Sequence, residues 1–237
     1  MSRTLIKEAI ILAGGLGTRL RSAVPDLPKC MAPVGGRPFI GYITDFYRRA
    51  GIERFIFALG YKSTAFEEFF EREFPYGGYT ISLEDSPLGT GGAIRQACTL
   101  ATEDNVLVLN GDTFFRIDLE GLSAFHNLVQ ADCSLCLKPM HDFDRFGVVE
   151  LDGDLQVRRF REKQAYSAGL INGGVYALSR EHFLQEELPA VFSFEKDYLE
   201  KSLETQRIFG LEQHGFFIDI GIPEDYARVQ TAINELL

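Results

Sequence analysis

Nowhere does this sequence carry the ~18 consecutive apolar residues that a membrane-spanning helix requires. Its longest early apolar run, residues 9–13, follows Glu8, gives way to glycines and lacks the small-residue cleavage site of a secretory signal. The chain is therefore expected in the cytoplasm. Positive charge is in short supply: 24 Lys and Arg against 34 Asp and Glu leave a net charge of −10, which would repel a nucleic-acid backbone over most of the surface. A small phosphate-bearing substrate is not excluded, because a few local cations and a metal ion can reverse the field inside one cleft. The four histidines, at 126, 141, 182 and 214, show no zinc-ligand spacing. Of four cysteines, Cys133 and Cys136 form a CxxC in a segment that reads as a strand. Residues three apart on a strand point to opposite faces, which argues against a shared metal or a redox pair. Repeats, low-complexity stretches and linkers are absent as well.

What is present is a globular composition, 46% hydrophobic over 237 residues, with enough length for a substantial core. Apolar runs and helical spacing alternate through the first half. Strands are predicted over 5–12, 54–61, 79–84 and 105–109, and helices over 38–50, 64–74 and 89–101, with Gly51 ending the first helix. Short connections between them imply βαβ units. The fold class is α/β, a Rossmann-like mixed but mainly parallel sheet flanked by helices in three α/β/α layers. The second half reads as a helix over 119–130, strands over 131–139, 146–151, 155–161, 171–178, 208–213 and 216–220, and helices over 195–205 and 224–236. Asp152-Gly153-Asp154 signals a hairpin turn. One domain is expected over 1–237, a nucleotide-binding half to about 118 and a sugar-phosphate half beyond it, with no room for an appended repeat domain.

The densest signal follows the first strand: Leu12-Ala13-Gly14-Gly15-Leu16-Gly17-Thr18-Arg19-Leu20. Glycines let backbone amides approach phosphate oxygens and build an anion-binding concavity. A dinucleotide fingerprint starting at Gly15 would need glycine where Leu20 stands, and a Walker loop would need Lys-Ser/Thr where Thr18-Arg19 stands. The guanidinium of Arg19 suits a leaving pyrophosphate. Ten residues on, Lys29 sits between Pro28 and Pro33 in Pro28-Lys29-Cys30-Met31-Ala32-Pro33-Val34. Together these segments resemble the signature of the sugar-1-phosphate nucleotidyltransferases, the nucleoside-diphosphate-sugar pyrophosphorylases of GT-A-like fold. The likeness extends over nearly the whole chain.

The resemblance implies roles for further residues. Glu84-Asp85-Ser86-Pro87-Leu88-Gly89-Thr90 is similar to the family's nucleobase segment. Glu84, Pro87, Gly89 and Thr90 would then join Leu12, Ala13, Gly14, Gly15, Gly17, Thr18 and Gly111 in binding nucleotide. Asp112 ends a central strand, where ligands of open α/β sheets bind; in the family this Asp holds Mg²⁺, with Asp219 as the expected second ligand. Two aspartates suffice for Mg²⁺, which keeps water and phosphate oxygens as ligands. Gly147, Glu162, Lys163, Asn172 and Gly173 resemble the sugar-phosphate positions. Glu195-Lys196-Asp197 resembles a further segment near the sugar and reads equally well as an exposed helix start.

The reaction so implied needs no side-chain nucleophile: a sugar phosphate attacks the α-phosphorus of a triphosphate, and catalysis is positioning and charge neutralisation by Arg19, Lys29 and Asp112. The partners would be a nucleoside triphosphate and a sugar 1-phosphate, with no nucleic acid and no membrane. Residues 24–39 and the short length look closest to the heptose 1-phosphate guanylyltransferases, which serve surface polysaccharide synthesis. Cys30 departs from them, standing where many relatives have proline. Mannose-1-phosphate guanylyltransferases and short uridylyl- or thymidylyltransferases compete for the substrate pair. A non-catalytic, sugar-nucleotide-sensing relative would have lost the charged residues found here. A glycosyltransferase would show Asp-x-Asp at a strand end, not in a hairpin turn.

Overall fold

A computed structural model describes residues 5–15, 20, 24, 27–60 and 62–237. In chain order the strands are β1 (Glu8–Leu12), β2 (Pro33–Val34), β3 (Arg37–Pro38), β4 (Arg54–Leu59), β5 (Tyr79–Leu83), β6 (Asn105–Asn110) and β7 (Thr113–Phe115). They continue with β8 (Cys133–Phe143), β9 (Val149–Leu151), β10 (Val157–Phe160), β11 (Tyr166–Ser179), β12 (Ile208–Glu212) and β13 (Phe217–Asp219). The helices are α1 (Phe39–Ala50), α2 (Glu67–Glu73), α3 (Gly89–Cys98), α4 (Leu119–Leu128), α5 (Arg180–Gln185) and α6 (Pro223–Thr231).

Seven strands form one sheet in the order β12-β8-β11-β6-β1-β4-β5. Neighbours run parallel except at β11, which is antiparallel to both β8 and β6. The apolar runs are continuous because both faces are covered. Ala9 and Ile11 of β1 join a core with Phe39 and Ile43 of α1, Phe69 of α2, Leu122 of α4 and Val229 of α6. Ile10 turns the other way, toward Ile94 and Ala97 of α3 and Phe183 of α5. This is the mixed, mainly parallel three-layer arrangement the sequence predicts. Cys133 and Cys136 likewise fall into the two opposite cores, and all four cysteines are buried and free.

Local chemistry fixes several boundaries. Gly51 ends α1 at φ 115°, a left-handed value that glycine accepts without strain. Asp118 caps α4, its Oδ1 accepting from Gly121 N at 2.9 Å. Glu8 ties β1 to the loop before β6, its carboxylate accepting from Arg54 Nη1 at 2.6 Å, Thr102 N at 2.6 Å and Glu103 N at 2.9 Å. Burial alone would push this acid's pKa up, but those hydrogen bonds outweigh it and hold the pKa below its ordinary value.

Several features depart from the sequence reading: the helix expected over 64–74 opens as a 3₁₀ helix over Ser63–Phe66, and the one expected over 224–236 ends at Thr231. The expected helix 195–205 is a π-helix over Phe194–Leu199 followed by turns, its wide turn marked by Glu200 N donating to Glu195 O. The hairpin predicted around Asp152-Gly153-Asp154 forms, but with the short strands β9 and β10. The strand expected over 171–178 begins at Tyr166, and its pairing with β8 is interrupted by a register shift between Asn172 and Tyr176. Finally, β2, β3, β7 and α5 are too short to leave a periodic signal. Among the described residues no helix is long and apolar enough to cross a membrane.

Candidate active site

The carboxyl ends of β1, β4 and β6 open into a cleft of about 1110 Å³. One end is built from glycines. Leu12, Ala13, Gly14 and Gly15 line it as the chain leaves β1, with Ala13 N donating to Ala58 O at 3.0 Å. A Cβ at Gly14 would stand 2.9 Å from Glu84 Oε1 and 3.0 Å from Gly60 N, so the loop approaches its neighbours as only glycine can. Glu84, Pro87, Gly89 and Thr90 line the same end. Glu84 Oε2 accepts from Leu88 N at 2.8 Å, which fixes the carboxylate against the first turn of α3. The amides of Gly89 and Thr90 belong to that first turn, where N–H groups have no intrahelical acceptor. Gly89 has φ +71°, and a Cβ there would meet Phe192 O at 2.5 Å. Gly17, Thr18 and Arg19 lie outside the described residues.

The centre of the cleft holds three charges. The ribbon of β7 and β13 pairs Asp219 with Thr113, and Ile220 N donates to Asp112 O at 3.0 Å, so two acids far apart in sequence become neighbours. Lys29, on a 3₁₀ turn (Lys29–Met31) just after Pro28, places Nζ 2.5 Å from Asp112 Oδ2 and 3.5 Å from Asp219 Oδ1. Gly221 N donates to Asp219 Oδ1 at 2.6 Å, and a Cβ on Gly221 would sit 3.0 Å from Lys29 Nζ. Burial, and then the charge of Asp112, raise the pKa of Asp219 above its ordinary value despite Lys29. Among the described residues, one ammonium therefore serves these two carboxylates, and negative charge is left over. Two aspartates with room for outside oxygens are the donor set that Mg²⁺ takes, so Asp112 and Asp219 could hold a hard divalent cation. Gly111 does not line the cleft: its N donates to Leu12 O at 2.9 Å, and a Cβ would come within 2.6 Å of that oxygen. Its part is to let β6 end close against β1.

A second hollow, of about 250 Å³, shares Asn110, Phe146, Lys163 and Asp219 with the first. Gly147, Glu162, Lys163, Asn172 and Gly173 all line it, so the five sugar-phosphate candidates converge. No ion pair holds Lys163 among the described residues, which leaves its ammonium for an anion. Glu195, Lys196 and Glu200 also face this hollow. The resemblance had pointed to Glu195 and Lys196, but not to Glu200. Arg145 was missed altogether. It lines the large cleft, lies over the Phe146 ring and pairs with Asp225 of α6. An Arg before Phe-Gly in a loop carries no pattern by which sequence alone could single it out.

Asn172 lines the hollow with its amide already engaged by the protein. Its Nδ2 donates to Tyr176 OH at 2.8 Å and to Glu195 Oε1 at 3.1 Å, while Oδ1 accepts from Gly174 N at 3.0 Å. Both amide hydrogens are thus spent inside the protein, and only acceptor capacity on Oδ1 remains.

The chain is similar to known proteins over nearly its whole length. Residues 8–235 match the family model described as nucleotidyl transferase. The chain is 44% identical over 97% of its length to D-glycero-alpha-D-manno-heptose 1-phosphate guanylyltransferase of Aneurinibacillus thermoaerophilus, all of which is covered. It is 42% identical over 92% of its length to the protein of the same name from Campylobacter jejuni, 96% of which is covered. Among solved structures, HddC from Yersinia pseudotuberculosis complexed with GMP-PN superposes with a TM-score of 0.86 at 33% identity, over 96% of this chain and 100% of that one. A glycine-lined cleft end, a lysine shared by two aspartates and these near full-length matches lead to one conclusion: the chain belongs to the nucleotidyl transferase family.

Proposed function

We propose that this enzyme transfers the guanylyl group of GTP to D-glycero-α-D-manno-heptose 1-phosphate, giving GDP-heptose and pyrophosphate. The observation that carries the reading is the position of Lys29, Asp112 and Asp219, between a cleft end built for a nucleotide and a hollow that holds Lys163. An oxygen of the sugar phosphate attacks the α-phosphorus, and the bond from that phosphorus to the oxygen bridging to the β-phosphate breaks. Pyrophosphate leaves with the electron pair. The attacking group is already an anion, so no general base is required, and the barrier is the approach of two anions. Lys163 holds the sugar phosphate. Lys29 steadies the negative charge that builds up around the α-phosphate. Arg19 is assigned from sequence alone to the departing pyrophosphate. When bound by Asp112 and Asp219, Mg²⁺ would neutralise charge on the reacting phosphates.

Glu84 supports guanine as the base. A carboxylate only accepts hydrogen bonds, and guanine offers two adjacent donors, N1–H and N2–H, on one edge. Uracil and thymine offer a single N–H flanked by two carbonyls, which a carboxylate repels. The near full-length likeness to the two guanylyltransferases supports the heptose. The reaction is placed in the cytoplasm, and its product would supply glycosyltransferases that build surface polysaccharide.

Pyrophosphate release, measured with GTP, UTP, dTTP and ATP against heptose, mannose and glucose 1-phosphates, tests the assignment. GTP with the heptose phosphate should give the highest kcat/KM, at least ~10-fold above mannose 1-phosphate, within the discrimination that a few polar contacts supply. A preference for a pyrimidine triphosphate or for glucose 1-phosphate would overturn it. No release with any pair would favour a sugar-nucleotide-sensing role.

A further inference from the structure

Tyr176 is 2% exposed, its ring packed edge-on against Phe194 at 5.1 Å, yet its hydroxyl has polar partners at the rim of the core. Asn172 Nδ2 donates to the hydroxyl at 2.8 Å, and the hydroxyl donates to Glu195 Oε1 at 3.1 Å. Residues four apart on an unbroken strand stand ~13 Å apart, so this contact depends on a break in β11. The break is there: Asn172 pairs with Leu137 and Tyr176 with Leu135, four residues of β11 spanning two of β8. Gly174 supplies the bend at φ +69°, and its N donates to Asn172 Oδ1 at 3.0 Å, which sets the amide so that Nδ2 faces Tyr176 and Glu195. Such bulges re-aim side chains.

Glu195 is held from the other side as well. It lies on the π-helix, whose first residue is tied to the nucleotide end of the cleft, Phe194 N donating to Thr90 Oγ1 at 2.9 Å. Ser193 Oγ accepts from Lys196 N at 3.2 Å, and Asp197 Oδ2 accepts from Ser193 N at 2.9 Å, which closes the first turn. Among the described residues, the two hydrogen bonds that Glu195 receives both fall on Oε1. Oε2 remains, on a side chain that lines the hollow with Glu162 and Lys163.

Resting on the guanylyltransferase reading, we propose that Tyr176 is a positioning residue: with Asn172 it locks Oε1 of Glu195 so that Oε2 is presented to a hydroxyl of the sugar phosphate. Asn172 then acts through Glu195 and not as a donor to the sugar. A carboxylate fixed by two donors meets its ligand with less ordering cost than a free one.

Steady-state kinetics of Tyr176→Phe, Glu195→Gln and the double variant test this. The phenylalanine keeps the ring packing and removes only the hydroxyl. Tyr176→Phe should raise KM for the sugar phosphate about 10-fold, the effect of a lost ~1.4 kcal/mol, and leave KM for GTP within about twofold of wild type. In the Glu195→Gln background the same change should add less than about threefold, because the group it positions is already altered. If both KM values rise together, if neither moves, or if the effects multiply in the double variant, the positioning role is wrong. A wild-type enzyme that releases no pyrophosphate with any sugar 1-phosphate would instead sink the guanylyltransferase reading.

Discussion

The Lys29 ammonium lies 2.5 Å from Asp112 Oδ2, a charge-assisted contact at the floor of the cleft, with Asp219 Oδ1 a further 3.5 Å neighbour. This cation stands where the account places the reacting α-phosphate. Lys29→Met should therefore lower kcat by ~10²–10³, the cost of removing one preorganised charge from a transition state, with smaller changes in either KM. Turnover at saturating substrates is the measurement. A near-normal kcat would remove Lys29 from the chemistry.

Asp219 predicts a trade of stability for function. Burial and the neighbouring Asp112 raise its pKa, so the folded chain holds this proton more tightly than the unfolded chain does. The stability so gained is complete below the ordinary carboxylate range and is lost as pH rises through the raised value. At neutral pH the ionised group is a burden. Asp219→Asn should melt about 2–4 °C above wild type at pH 7, the response of a chain of this size to ~1 kcal/mol. The gap should close near pH 4, while pyrophosphate release falls by ~10²-fold or more. Thermal melts at the two pH values decide the point. A lower Tm than wild type at pH 7 would contradict the electrostatic account.

Glu84 should govern the choice of base. Glu84→Gln keeps the size of the side chain and turns one oxygen into a donor, which favours a carbonyl-bearing edge over two N–H groups. The kcat/KM for GTP should drop ~10–100-fold while that for UTP rises, so the ratio of the two is the sensitive readout. An unchanged ratio would mean that the base is read elsewhere. Because Glu84 Oε2 also accepts from Leu88 N, circular dichroism on the variant should accompany the kinetics.

The long strands β1, β4, β5 and β6 and the helices between them were legible because their apolar runs are closed by glycine or a polar cluster. The glycine loop and Lys29 were legible because their spacing is unusual. The pairing of Asp112 with Asp219 was expected only through family likeness. The element that makes it, β7, is three buried residues long and leaves no period to detect. The contacts of Asn172 within the protein were hidden for a similar reason. The bulge of two extra residues is followed by the continuous apolar run Val175-Tyr176-Ala177-Leu178, and the sequence pattern does not announce that Asn172 folds back onto Tyr176. The π-helix escaped because Phe194, Tyr198 and Leu199 carry a spacing that an α-helix would share.

The central claim is that Lys29, Asp112 and Asp219 serve one triphosphate. Anomalous diffraction from crystals grown with Mn²⁺ and a non-hydrolysable GTP analogue tests it most directly. The account predicts a manganese peak bound by both aspartates, with Lys29 Nζ turned from Asp112 toward the α-phosphate. A peak touching neither carboxylate, or an analogue seated away from an unmoved Lys29–Asp112 pair, would contradict it.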